Sequence, residues 1–466
     1  MNLKINYRYI YILAITSFFF FWGINLYSLF VSTETLLEIN SYNFLISKFK
    51  ISYLVLIFLI PIFYGFIKKR NFHPKELFNN QKYIIFFILF IFAHYVFIKF
   101  YYNEIFAKSE IANLIYLLLL SIIYCHYRNF IINNFKKILT LYLIIFITYS
   151  VFEGSQSYNL EQCNADLYLI NIIKKYTGIS LGNSIYLENS HLAMMSIAVF
   201  FSGSFILLQA KKINILFLLL FLIEILIVLN NLSTTYFVCY FISQVVLLFF
   251  FFKKINIKFW IVSFLLLSIN SYLFFSDKNC TVKVTDLKVK DILNENLEKR
   301  DTNLTTLIYK RSAILALNTL KDHSFGWGID GMDDATQNLM SKYNTDICFK
   351  NRVEGPVCSS KESISWYGEK GAKRAYWPLK KLNIKDGLSN LFKIFTEFGI
   401  FTFIIFFYFI KYILNIKNLS SYNLFIIILF ITMCIRGVGY FNGGFIFCIL
   451  EFFYYKKLVN EVEFKH

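Results

Sequence analysis

Apolar runs close to the length of a membrane-crossing helix recur along almost the whole chain, and most of the gaps between them carry pairs of Lys. About 20 apolar residues are needed to cross the hydrocarbon layer as a helix, because a backbone in lipid must satisfy its own hydrogen bonds. A soluble fold could not hide this much apolar surface: 57% of the residues are hydrophobic, 20% aromatic and only 16% charged, with a mean hydropathy of +0.54. The sequence predicts an all-α polytopic membrane protein of about twelve transmembrane helices, at 9–31, 49–67, 83–102, 112–127, 138–152, 191–209, 213–230, 236–252, 258–275, 391–411, 421–436 and 443–455.

Charge orients these runs. With a cytoplasmic N-terminus, every inner connection carries at least two cations: Lys68-Lys69-Arg70, Arg128 with Lys136-Lys137, Lys211-Lys212, Lys253-Lys254, Lys411 with Lys417, and Lys456-Lys457. That is the asymmetry expected of cytoplasmic loops. Both termini are then cytoplasmic. The first run follows Lys4 and Arg8, is long for a signal-peptide core and lacks a small-x-small cleavage site, so it reads as a retained span. The net charge of +18 belongs to membrane orientation and not to nucleic acid, since no basic amphipathic stripe or nucleic-acid motif accompanies it.

Three regions follow. Residues 1–275 hold nine spans and an outer loop at about 153–190, residues 276–388 form one large outer loop, and residues 389–466 hold three spans and a tail. The large loop contains a helical pattern from Leu304 to Leu320, followed by a Gly-rich turn at 326–331. Cys163, Cys280, Cys348 and Cys358 fall in outer loops, an even number in an oxidising compartment, and are disulfide candidates: Cys348 with Cys358, and Cys163 with Cys280. No Cys-x-x-Cys or His-rich spacing supports a metal. The other four Cys lie in apolar runs and read as small hydrophobes.

Arg is the informative cation, because the chain has only eight among its 47 basic residues. Four lie in the large loop (Arg300, Arg311, Arg352, Arg374), and Arg436 closes the eleventh span on the same side. A rigid guanidinium fork grips phosphate or carboxylate in two-pronged fashion. Arg311, Arg436 and Arg374 are therefore candidate anion-binding residues, whereas Arg300 and Arg352 read as solvated loop charge. Arg436-Gly-Val-Gly-Tyr-Phe-Asn-Gly-Gly444 has the glycine content either of a tight hairpin or of backbone that approaches a ligand closely. Glu188 and His191, three residues apart at the mouth of the sixth span, share a helix face and form a candidate acid/base pair, with His323 as another base. Glu224 and Glu397 are carboxylates within spans, where such groups line a polar interior or pair with a cation.

Together these features resemble the O-antigen polymerase and O-antigen ligase superfamily. The resemblance lies in about twelve spans with one large outer loop late in the chain, in Arg311 followed by the turn His323-Ser-Phe-Gly-Trp-Gly328, and in Asp386 to Ile400, which ends Glu397-Phe-Gly-Ile400. Asn230-Asn-Leu-Ser233-Thr-Thr stands where the family often has Ser followed by Arg. Two departures favour polymerase over ligase: Leu388-Ser389-Asn390 stands where many ligases have a His-Asn pair, and Thr234 replaces the Arg after Ser233.

The resemblance implies a bacterial inner-membrane enzyme of polysaccharide biosynthesis, a glycosyltransferase acting on undecaprenyl-diphosphate-linked glycans with neither cofactor nor metal. One lipid-linked oligosaccharide would donate its chain to a hydroxyl of another at the periplasmic face. Arg311 and Arg436, with Arg374 in reserve, would stabilise the leaving diphosphate, and Glu188, His191 or His323 would act as base. Trp327, Tyr440 and Asn442 would contact sugar, although Trp327 also suits the lipid headgroup level. The implied partners are the lipid-linked donor and acceptor, membrane lipids, a chain-length regulator and a flippase. A ligase that transfers polymer to a lipid core, and a lipid-linked glycan flippase, are the competing functions.

Overall fold

The computed structural model describes residues 7–20, 51–68, 81–102, 108–152, 189–209, 215–230, 234–276, 304–329, 331–332, 334–335, 338, 348–351, 355–358, 389–437 and 443–454. The chain is an α-helical membrane protein. Its elements in order are α1 (Tyr7–Phe20), a 3-10 stretch Ile51–Phe58 leading into α2 (Leu59–Lys68), α3 (Lys82–Tyr101), α4 (Lys108–Phe152), α5 (Asn189–Gln209), α6 (Ile215–Asn230), α7 (Thr234–Phe251), α8 (Ile257–Ser276) and α9 (Leu304–Asp322). A hairpin of β1 (Cys348–Asn351) and β2 (Gly355–Cys358) follows, then α10 (Asn390–Phe398), α11 (Thr402–Asn415), α12 (Ser421–Ile435) and α13 (Phe445–Phe453). Among the described residues, four stretches are long and apolar enough to cross a membrane: Lys82–Tyr101, Glu110–Phe146, Tyr236–Lys254 and Asn390–Asn415.

The core is built around α12. Every residue from Tyr422 to Cys434 is buried, as expected of a helix that is apolar all round. It packs on α5, α7, α10 and α13, and large rings fill the contacts. Phe430 stacks on Phe445 with ring centroids 5.4 Å apart and meets Phe452 edge-on at 4.8 Å. Because lipid is as apolar as these side chains, close packing of this kind holds membrane helices together.

Two expected boundaries differ. The sequence predicts a break at Arg128 to Lys137 between two spans, whereas α4 runs continuously from Lys108 to Phe152. That stretch contains no Gly or Pro to stop a helix, and Arg128 is not in solvent. It is buried and ion-paired with Glu451 of α13, with Nε 2.9 Å from the nearer carboxylate oxygen. Tyr124 and Tyr422 hydrogen-bond the same carboxylate, and the guanidinium lies 4.3 Å from the Tyr454 ring centroid. The predicted tenth span is interrupted instead: α10 ends at Phe398, a 3-10 turn follows at Gly399–Phe401, and α11 begins at Thr402.

The bundle has a basic end and an opposite end. Lys254 Nζ donates to the Ile416 carbonyl, Lys82 and Lys411 both lie over the Tyr83 ring, and the Gln81 amide donates to the Cys125 carbonyl. From this end α3 runs to Tyr102, α12 runs to Arg436, and α11 leads back to α10. The Gly-rich turn after α9 therefore meets the bundle at the end away from Lys82, Lys254 and Lys411.

Candidate functional site

The Gly-Trp-Gly turn after α9 is fastened to the break between α10 and α11. Trp327 N–H donates to the Thr396 carbonyl at 3.1 Å, Gly328 N–H to the Glu397 carbonyl at 2.9 Å, and Ile400 N–H to the Ser324 carbonyl at 2.8 Å. These bonds satisfy backbone groups that a broken helix would otherwise leave orphaned. Both sides of the contact need glycine. Gly326 has φ +84° and Gly399 φ +54°, and a Cβ on the first would overlap the Glu397 carbonyl, on the second the Ser324 carbonyl. Two motifs more than sixty residues apart in the sequence thus form one backbone-to-backbone joint.

His94 of α3 completes the joint. Its Nε2–H donates to the Phe325 carbonyl at 2.7 Å, and its ring lies 5.1 Å from Phe398 and 5.6 Å from Phe401. The sequence reading missed this residue. Its signal was an imidazole within an apolar span, which needs a polar partner.

The turn sets His323 against Tyr102, just past the end of α3. His323 Nδ1 is 2.7 Å from the Tyr102 hydroxyl, and its ring centroid lies 3.8 Å from that of Trp327. Trp327 also stacks on Tyr102 at 5.8 Å and 14°. Its indole is only 8% exposed, so in this arrangement it buttresses His323 and does not offer an open platform to sugar. The end of α3 is itself fixed: Glu110 at the start of α4 accepts from Tyr95 Oη at 2.9 Å and from Lys99 Nζ at 3.0 Å. Partial burial lowers the His323 pKa below its usual value near 6.5, with the nearby Asp322 carboxylate opposing the shift. In the tautomer that donates Nδ1–H to the Tyr102 hydroxyl, Nε2 is the lone pair left to accept a proton.

A polar seam runs from this joint along α10. Ser389, Asn390, Lys393, Thr396 and Glu397 are all buried, with Asn390, Lys393 and Glu397 on one helical face. Lys393 Nζ lies 3.9 Å from the Glu397 carboxylate. Ser389 caps the helix by accepting from Phe392 N–H, and its own hydroxyl donates to the Cys434 carbonyl at 2.6 Å. That bond ties the start of α10 to the end of α12, where Arg436 is 7% exposed. Gly437 lies against Asn390 so closely that a Cβ would overlap its amide. Arg436 and His323 thus stand at opposite ends of a nine-residue helix, about 13 Å long.

No protein-family model matches the chain, and neither does any curated protein or solved structure. The remaining candidates are placed as follows. Arg311 is on α9, which packs on α10 through a face of Ser312, Leu315, Ala316 and Thr319. His191 is in the first turn of α5, which packs on α12. The side chains of both lie outside the described residues, as do Glu188, Arg374, Tyr440, Asn442, Cys163 and Cys280. Cys348 and Cys358 are directly opposite in the hairpin register. Their side chains lie outside the described residues.

Proposed function

We propose that this chain is a polymerase of the bacterial inner membrane that joins undecaprenyl-diphosphate-linked oligosaccharides at the periplasmic face, within a bundle of about twelve spans. The observation that carries the reading is the joint between the Gly326-Trp327-Gly328 turn and the Glu397-Phe398-Gly399 break. It ties the α9 segment to a discontinuous span at the end away from Lys82, Lys254 and Lys411, the end that the positive-inside rule turns outward when those connections are cytoplasmic. A broken span lined with buried polar groups is the form taken by sites that receive a polar ligand at membrane depth.

In the reaction proposed, an acceptor sugar hydroxyl attacks the anomeric carbon of the donor. The bond from that carbon to the diphosphate breaks, and the hydroxyl proton passes to His323 Nε2. The lipid diphosphate leaves with the bonding electron pair, and its growing charge is met by Arg436 beside the start of α10 and by Arg311. The length of α10 separates the two functions by a distance on the scale of a diphosphate joined to a sugar, about 13 Å. Glu188 and His191 enter as further groups on the acceptor side.

The test is R311K and R436K in a strain lacking the native gene, with protein level measured in parallel. Polymerase function predicts that the strain makes single repeat units attached to a normal lipid core, that the wild-type gene restores long polymer, and that neither variant does. Polymer stored on the carrier lipid with an uncapped core would instead mark a ligase, and units trapped at the cytoplasmic face a flippase. Normal polymer from both variants at normal abundance would remove the arginines from the mechanism.

A further inference from the structure

The lysine-rich end of the bundle carries a surface of its own, away from the joint. The stretches Tyr236–Lys254 and Asn390–Asn415, each long and apolar enough to cross a membrane, both finish there. A hydrogen bond ties the two turns that follow them: Lys254 Nζ donates to the Ile416 carbonyl. Lys253, Lys258 and Lys417 flank this bond in the chain, and all four lysines are exposed. The first turn is fixed from within, because the Asn256 side-chain carbonyl accepts from Lys258 N–H at 3.0 Å and Ile255 is buried. Since two spans end at these turns, the lysines stand at the depth of the lipid headgroups.

The helices that carry these turns do nothing to neutralise them. No Asp or Glu occurs in residues 234–276 or 402–437, the stretches that form α7, α8, α11 and α12. Among the described residues none of the four lysines has an ion-pair partner, whereas Lys99, Arg128 and Lys393 each face a carboxylate. Four like charges on two bonded turns repel one another, and an anionic headgroup at the same depth is their complement. Apolar rows lead away from the first turn on both of its helices. Val245, Phe249 and Phe252 follow α7, Ile257, Ile261 and Leu265 follow α8, and all six are exposed. Steps of three and four residues keep each row on one helix face. A free anion would engage only the lysines, whereas a phospholipid would engage the lysines through its headgroup and the apolar rows through its chains.

We propose that these two turns form a binding site for an anionic phospholipid of the adjacent leaflet, with its phosphate held by Lys253, Lys254, Lys258 and Lys417 and its acyl chains lying along α7 and α8. The site is separate from the reaction proposed above and is tested by a stability readout that needs no substrate. The full-length protein, purified in a neutral detergent, is unfolded thermally at one pH and one ionic strength while phosphatidylglycerol, phosphatidylcholine of the same acyl chains, or inorganic phosphate is titrated in. Phosphatidylglycerol is expected to raise the melting temperature saturably above the phosphatidylcholine series, by about 2–4 °C, and inorganic phosphate is expected to leave it unchanged. K417Q should move the phosphatidylglycerol midpoint about fivefold higher, and K253Q with K258Q about 25-fold, with melting in phosphatidylcholine close to the wild type. Lys254 is left in place because it holds the two turns together. K136Q with K137Q removes the same charge from α4 and should leave the midpoint within about twofold. Equal stabilisation by the two lipids overturns the proposal, as does an unmoved midpoint in K253Q with K258Q. An equal shift in K136Q with K137Q would overturn it in favour of net charge, and an equal effect of inorganic phosphate in favour of a free anion.

Discussion

Gly326 and Gly399 occupy one joint from opposite sides, both with positive φ, and neither has room for a single added carbon. G326A and G399A should each lose about 1–3 kcal/mol from backbone strain alone, and more where the three inter-segment hydrogen bonds open. On the proposed polymerase function, polymer length should fall even when the protein is still made, because the joint positions His323. The check is to measure thermal stability and polymer length for each variant and for the pair. Two mutations that damage the same joint should be less than additive, and full additivity would mean that the two glycines act independently.

His323 gives a prediction in pH. Its folded pKa lies below the usual value near 6.5 because burial disfavours the imidazolium. The base of the proposed reaction must be neutral, so on that reading wild-type activity should hold through pH 6.5 and fall only at more acidic pH. Stability follows the same sign. The unfolded chain takes up this proton more readily, so His323 subtracts stability as pH falls through 6.5 and toward the lower folded value. H323A should reduce turnover roughly 10²–10⁴-fold. Y102F, which removes the partner of Nδ1, should keep the fold, lower turnover less and move the acid limb of the pH profile. Turnover is read as lipid-linked units joined by membranes of known protein content; an unmoved limb in Y102F would show that Tyr102 does not set the state of His323.

Much of this architecture was legible because apolar runs end where their own chemistry ends. Lys-rich gaps and the Gly-rich turn mark boundaries that the described helices meet within a few residues, and α9 was visible from the spacing of Leu304, Leu307, Ile314, Leu317 and Leu320. The exceptions share a cause, which is that charge in sequence does not reveal its partner. Arg128 reads as a loop cation until Glu451 appears 323 residues later. The two glycine motifs were each readable as places needing special backbone, but their fit to one another was not. His94 and Tyr102 sit on or just past an ordinary apolar helix and gain meaning only from the turn that reaches them.

Arg128 and Glu451 yield the last prediction. The pair is buried, bidentate and surrounded by Tyr124, Tyr422 and Tyr454, and it joins α4 to the final helix of the core. Removing one partner strands the other charge without water, a loss of about 3–5 kcal/mol. R128M and E451Q should therefore each unfold at markedly lower temperature. Replacing both with apolar residues of similar volume, as in R128M with E451M, also removes the cost of burying two charges, and such replacements are often neutral or stabilising. The double variant should thus recover most of what R128M loses. The site at the other end of the bundle does not depend on this pair, so polymer length should return with the protein level in the double variant. Recovery of protein without polymer would show that the charge itself matters to function at the lysine-rich end.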